Sequence, residues 1–370
     1  MNHDAKVKPE STNRLLSLDF FRGFTMILLV GEFTRFLTGI ADLFPEGHSL
    51  HFLAMQFHHA SWIGLHFWDL VQPFFMFIVG VAMPFSFSRR RASGAGQKEL
   101  LRHVLKRSFM LLLIGWALYC IGPGKIVFHF QNVLTQLSVT YLIAFLIMEK
   151  KVSFQIIFSV GLLLLVDILY RTFPVEGFNH PFVQNENFGT WLDLQYGGAD
   201  LGGHWVSFNA IPTAAHTIWG VLVGKLLISD RSSKEKLRIL LIAGAIGVVV
   251  GYALQPVTPI IKRIATSSFV IVSGGWALLA MAFSYWLIDI KKSQKWVIFF
   301  AVVGMNPLFI YLFAHVGGSG FIRDIIYPFS NALFGWAGKP ASVIIMNGIV
   351  WFLLWYITYW MYKKKLFIRI

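Results

Sequence analysis

Phe57 to Pro84 reads FHHASWIGLHFWDLVQPFFMFIVGVAMP, and the reading of this stretch decides the fold. Its second half is a run of Val, Phe, Ile and Met of the kind that crosses a bilayer, for which about 20 mostly apolar residues are needed. Its first half sets His58 and His59 beside Trp62 and Trp68, and tryptophan favours the membrane–water boundary. Asp69 follows His59 by ten positions, already inside apolar sequence. A carboxylate there is costly unless it is paired, so it is a functional candidate by default.

Composition agrees with a membrane setting. Of the 370 residues, 56% are hydrophobic and only 14% are charged, whereas soluble domains run near 25% charged. Ten spans are expected, at 18–40, 65–87, 108–123, 132–148, 152–170, 209–229, 238–255, 267–289, 296–315 and 341–361. The third is short and either crosses with little tilt or extends toward Leu105. The first span itself directs insertion, because the polar N-terminus lacks the apolar core of a cleavable signal. The lone Cys120 excludes an intrachain disulfide.

The net charge of +14 invites a nucleic-acid reading, but its distribution argues against one. Most of the 32 Lys and Arg lie in alternate connections, among them Arg89–Arg91, Lys150–Lys151, Lys234, Lys291–Lys292 and Lys363–Lys365. The positive-inside rule puts that side, and both termini, in the cytoplasm. Segments 41–64, 171–208, 256–266 and 316–340 then face outward, and nine of the twelve histidines (48, 51, 58, 59, 66, 129, 180, 204 and 315) fall on or near that side. The expected fold is all-α and polytopic, with a cytoplasmic segment over 1–17 and one transmembrane domain over 18–370.

His59 is the first candidate for chemistry. Imidazole is a general base near neutral pH and can also carry an acyl group. A plainer role is an interfacial histidine bonded to a loop carbonyl, and His58 is equally placed for either. In one continuous helix His59 and Asp69 would stand about 15 Å apart, so they act together only if the chain before Trp62 folds back. Otherwise Asp69 has a structural pairing with a cation such as Arg35, which would equally explain Glu32. Asp19 and Arg22 share a helix face. They form either a helix-end salt bridge or, through Arg22, a contact to the phosphates of an anionic donor.

Asn209 and Pro212 open the sixth span, and Asn306-Pro307 interrupts the ninth, where proline frees a carbonyl and kinks the helix. Lys262 and Arg263 are a basic pair on the sparsely charged side, suited to an anionic substrate group or to lipid headgroups. Ser267 and Ser268 start the next helix. The histidine spacings match no metal motif, and GxSxG, P-loop and dinucleotide fingerprints are absent. Gly80, Gly220 and Gly224 read as close helix packing. The intramembrane acids Glu32, Asp69 and Asp167 would also suit a transporter for a sugar or other small solute. Against that stand the lack of an internal repeat and histidines gathered at one face.

Taken together, RLLSLDFFRG, HHASWIGLHFWDLVQPFFMFIVG, NAIPTAAHTIWGVLVGKLL, PIIKRIATSSFVIVSGGWALL and GMNPLFIY occur in an order that resembles the transmembrane acetyltransferase family of heparan-alpha-glucosaminide N-acetyltransferase and its bacterial homologues. The resemblance spans roughly Arg14 to His315. It implies acetyl transfer from cytosolic acetyl-CoA to an amino sugar or related glycan across the membrane, in a multi-pass protein of, here, a bacterial inner membrane. His59 matches the active-site histidine and Asp69 the aspartate of the DL element. With Arg22, Ser267 and Asn306 make up the expected donor-binding set. Trp62, Asn209 and Lys262 are the candidate acceptor contacts. No metal and no nucleic acid is expected, and a homodimer is left open. Many relatives carry Asn near the outer end of the first span, where this chain has Glu32-Phe33.

Overall fold

The computed structural model describes residues 15–368. Lys6, Lys8, Arg14 and Arg369, which carry part of the expected charge asymmetry, lie outside the described residues. Helix α1 (Leu16–Glu32) bends by 63° into the short α2 (Phe36–Gly39). The bend is set by Arg35, whose φ is 58°, and by Thr34, whose hydroxyl donates to the Gly31 carbonyl. Helix α3 (Ser49–Met55) and an irregular stretch lead to a tight turn, Phe67–Leu70, that opens α4 (Val71–Ala92). Helices α5 (Gln97–Ile121), α6 (Val133–Ile147), α7 (Val152–Thr172), α8 (Phe188–Gln195), α9 (Ala210–Ile228), α10 (Ser233–Ala253) and α11 (Ser267–Ser284) follow. Then come α12 (Val297–Met305), α13 (Pro307–Phe313), α14 (Ser319–Phe334) and α15 (Lys339–Lys363). Side chains start several of these helices. Asn132 accepts from Leu134 and Thr135 N–H, and Ser232 and Glu235 cap each other.

The protein is thus an all-α, multi-pass integral membrane protein. Among the described residues eight helices are long and apolar enough to span, or nine if the bent α1–α2 pair is one span. The count differs from the expected ten at two helices: α6, an apolar helix of only 15 residues, and α1, which reaches full length only together with α2. Asn306, at φ −125° and ψ 49°, breaks the expected 296–315 span, leaves α12 only nine residues long and shifts the long apolar helix to Pro307–Ala337. Past the break the chain stays helical as far as Ala337, through a widened turn at Ala314–Gly318, so the expected loop 316–340 is largely helix. The third span is longer than expected, 25 residues.

Helices α4 and α9 lie at the centre, with two thirds of their apolar windows buried, while α10 and α7 bury only 17% and 22%. The exposed faces of these outer helices are apolar, as Ile157, Leu164, Ile168, Ile242, Ile246 and Val249 show, which suits lipid and not water. The central pair touches backbone to backbone. A Cβ on Gly80 or Gly220 would fall closer than 3.0 Å to the carbonyl oxygen of Thr217 or Phe77 respectively. Neither carbonyl can yield without moving a helix. Gly80→Ala and Gly220→Ala are expected to destabilise by about 1–3 kcal/mol, read as a lower thermal midpoint in detergent. An unchanged midpoint would show that the helices separate freely.

Two loops cross at one end of this bundle. Ile63 forms an antiparallel bridge with Ile261, and Gly64 N–H donates to the Ile260 carbonyl at 2.8 Å. The stretch before α4 is thereby pinned to the stretch before α11.

Candidate active site

Residues 59–66 are irregular, so the chain does fold back on the turn that starts α4. Within that turn Asp69 accepts from the N–H of His66 at 3.0 Å and of Ala60 at 3.2 Å, both on Oδ2. Its other oxygen, Oδ1, lies 2.8 Å from His59 Nδ1. Lys262 Nζ approaches from the second loop, 3.6 Å from Asp69 Oδ1 and 3.3 Å from His59 Nδ1. An imidazole nitrogen cannot both donate to a carboxylate and accept from an ammonium. The shorter contact decides: Nδ1–H donates to Asp69, and Lys262 pairs with the same carboxylate. His59 Nε2 then points away, to Glu32 Oε1 at 3.5 Å.

Burial gives the ring two different sides. The Asp69 side chain is 1% exposed, whereas His59 is 30% and Glu32 41% exposed. One carboxylate sits behind the ring and the other stands in front, open to a ligand. The indole of Trp68 also faces Glu32. Trp205 packs edge-on to His59, with Lys262 and Arg263 over its ring. Burial pushes the Lys262 ammonium below the usual lysine range, and the charges of Asp69 and Glu32 oppose that shift.

The two adjacent histidines have separate tasks. His58 Nε2 donates to the Thr38 carbonyl at 3.1 Å, and the His58 carbonyl in turn accepts from His66 Nδ1 at 2.9 Å. The carbonyl-bound interfacial role therefore falls to His58. Arg35 is not the partner of Asp69 or Glu32; it sits exposed in the bend after α1. Asp167 is joined to Arg171 at 2.8 Å, as a helix-surface pair.

The structure brings Lys262 into the His59 cluster and sets the other acceptor candidates behind it. Trp62 Nε1 donates to the Phe182 carbonyl at 2.7 Å. Asn209 donates to the Arg263 carbonyl at 3.3 Å and accepts from Gln136 at 2.6 Å. Both hold the loops that frame the ring. The donor candidates do not converge. Arg22 pairs with Asp19 at 2.8 Å, ten residues and about 15 Å along α1 from Glu32. Ser267 donates to the Leu163 carbonyl at 3.2 Å.

Asn306 uses its side chain on the C-terminal tail, donating to the Leu366 carbonyl and accepting from Ile368 N–H, each at 2.9 Å. Removing both bonds costs about 1–3 kcal/mol locally. In Asn306→Leu, trypsin should cut after Lys363–Lys365 several times faster than in wild type, by intact mass. An unchanged cleavage rate would mean that the tail is held by something else.

Sequence reasoning singled out Glu32 as an intramembrane acid but not as a neighbour of His59, which stands 27 residues later on another element, and it missed Trp205, which carries no local pattern at all. A cavity of about 450 Å³ lies between the end of α5 and the widened Ala314–Gly318 turn, lined by Tyr119, His129 and His315 among others. Among the described residues no group of three or more His, Cys, Asp or Glu is arranged to hold a metal ion.

A histidine clamped between two carboxylates at the mouth of a helix bundle marks a candidate acid–base site in a multi-pass membrane protein. No family model matches the chain. It is 32% identical over 149 residues to heparan-alpha-glucosaminide N-acetyltransferase of Mus musculus, covering 38% of this chain and 20% of that protein. The protein of the same name from Homo sapiens is 35% identical over 137 residues, or 35% of this chain and 18% of its own length. The chain therefore matches about a fifth of the length of these curated relatives. The shared stretch is thus similar to part of these two N-acetyltransferases.

Proposed function

We propose that this protein is an acetyltransferase embedded in a membrane, taken here as a bacterial inner membrane. It moves acetyl from cytosolic acetyl-CoA to an amino sugar or related glycan on the outer side. Residues 18–370 act as one catalytic domain after a cytoplasmic segment, with both termini in the cytoplasm. The observation that carries this reading is the oriented His59: Nδ1 is held by a buried Asp69, and Nε2 is turned toward an accessible face. That arrangement prepares a general base or an acyl carrier. The partial homology supplies the reaction type.

Acetyl-CoA carries several phosphates and does not cross a bilayer. Basic residues on the cytoplasmic connections attract it, and its thin pantetheine arm carries the thioester between the helices. His59 then takes a proton from the acceptor as the acceptor attacks the thioester, or receives the acetyl group itself.

The test is acetyl transfer by purified protein in proteoliposomes, with labelled acetyl-CoA on one side and amino sugars on the other. Acetylated sugar should appear only when donor and acceptor are on opposite sides. Neither transfer nor thioester hydrolysis, or cysteine labelling that puts 57–62 and the basic connections on one side, would end the reading.

A further inference from the structure

We propose that Glu32 is a second base of this site, and that it takes one proton from an acceptor amine that arrives as an ammonium ion. The inference rests on the acetyl-transfer reading above. Its basis is proton counting joined to the geometry around His59.

A protonated amine has to lose two protons to become an amide. Its nitrogen pair forms the bond to the acetyl carbonyl carbon. The carbon–sulfur bond breaks, and its electron pair leaves on sulfur. One nitrogen proton goes to His59 Nε2 and from there to the departing thiolate, giving the free thiol of CoA. The other has no place in the products and needs a separate acceptor that returns it to water. An alcohol gives up one proton only, which His59 moves unaided. A site built for an alcohol has no use for a second base; a site built for an ammonium does.

Glu32 is placed for that task. Its Oε1 is 3.5 Å from His59 Nε2. A nitrogen at a hydrogen-bond distance of about 2.9 Å from both sits at the apex of the triangle they define. Asp69 cannot take the part, since it is buried behind the ring and its Oδ2 already accepts two backbone N–H groups. The neighbouring residue, Phe33, packs edge-on to His315 at 5.3 Å, and His315 lines the cavity of about 450 Å³. That volume accommodates a small-molecule ligand. The titratable groups that face Glu32 are His59, Lys262 from the loop before α11, and Tyr311 and His315 from the α13 side. Lys262 is committed to Asp69, so the Glu32 carboxylate is free to meet a second cation.

The experiment uses the full chain in proteoliposomes with acetyl-CoA and two acceptors, glucosamine and hydroxylamine. The first is largely an ammonium at pH 6.5, given an amine pKa of about 8; the second is mostly neutral there. Glu32→Gln keeps the shape and a hydrogen-bonding group but cannot take a proton. Its kcat/KM relative to wild type should fall about tenfold or more with glucosamine at pH 6.5 and recover by pH 9. With hydroxylamine, after subtraction of the uncatalysed reaction, the loss should be at least fivefold smaller than with glucosamine at pH 6.5 and should not vary with pH. Glu32→Asp, which restores a carboxylate, should regain part of the glucosamine rate. Equal losses on both acceptors at every pH would make Glu32 a structural support of His59 and overturn the proposal, as would no loss on either. A wild-type protein that acetylates neither acceptor overturns the acetyl-transfer reading itself.

Discussion

His59→Ala is expected to elute from size exclusion like the wild-type protein and yet to lose about 10²–10⁴-fold in kcat/KM for acetyl transfer. Fold and activity separate here because of how the ring is held. Asp69 keeps both backbone N–H donors and Lys262 when the imidazole goes, so no buried charge is left alone. The ring is also 30% exposed and leaves little void behind it. What disappears is the one group whose free nitrogen faces the accessible side. The same variant separates two chemistries. Labelled acetyl-CoA without acceptor should leave acetyl on the wild-type protein, and not on the variant, if His59 carries the group. If His59 acts only as a base, neither protein is labelled. Turnover within a few-fold of wild type would remove His59 from the mechanism.

The spans were legible because lipid-facing helices need apolar residues on nearly every face, which gives long runs that survive errors of a few residues. What escaped was local backbone geometry. The stretch 316–340 contains Gly317, Gly318, Gly320 and Pro328, a loop-like composition, yet it is mostly helical. Gly317, with φ 104°, and Gly338, with φ 83°, leave helical geometry there, and Pro328 lies within α14. The His59 cluster is a different case. That His59 and Asp69 could pair was readable only as a condition on the chain between them, and the condition depends on the Ile63–Ile261 bridge, nearly 200 residues apart. Apart from the resemblance, two adjacent histidines carry no physical signal in the sequence to tell them apart. The Thr38 carbonyl, which occupies His58, does. Glu32 was visible as a buried acid but invited pairing with Arg35 three residues on, because helical spacing was the only geometry sequence offered. The 63° bend after α1 carries Arg35 away.

Asp69→Asn is the more searching substitution, since it changes almost no volume. Two backbone donors, from Ala60 and His66, point at the Oδ2 position. The amide oxygen of asparagine has to take that place, which turns its NH₂ group toward His59 Nδ1. A donor facing Nδ1 drives the ring to the tautomer with its proton on Nε2. The nitrogen on the accessible side would then carry a proton and could neither accept one nor take an acetyl group. Activity should fall about 10²–10⁴-fold although the geometry persists; the same tautomer argument explains why an orienting aspartate matters in hydrolase triads. The charge balance changes as well. Lys262, 8% exposed, loses its buried counter-ion, and breaking such a pair costs about 3–5 kcal/mol. Imidazole ¹⁵N shifts should report Nε2–H in the variant and Nδ1–H in the wild type. A variant with the wild-type tautomer and activity within threefold would show that Asp69 does not orient the ring. A variant with the altered tautomer and full activity would show that Nε2 takes no part in the reaction.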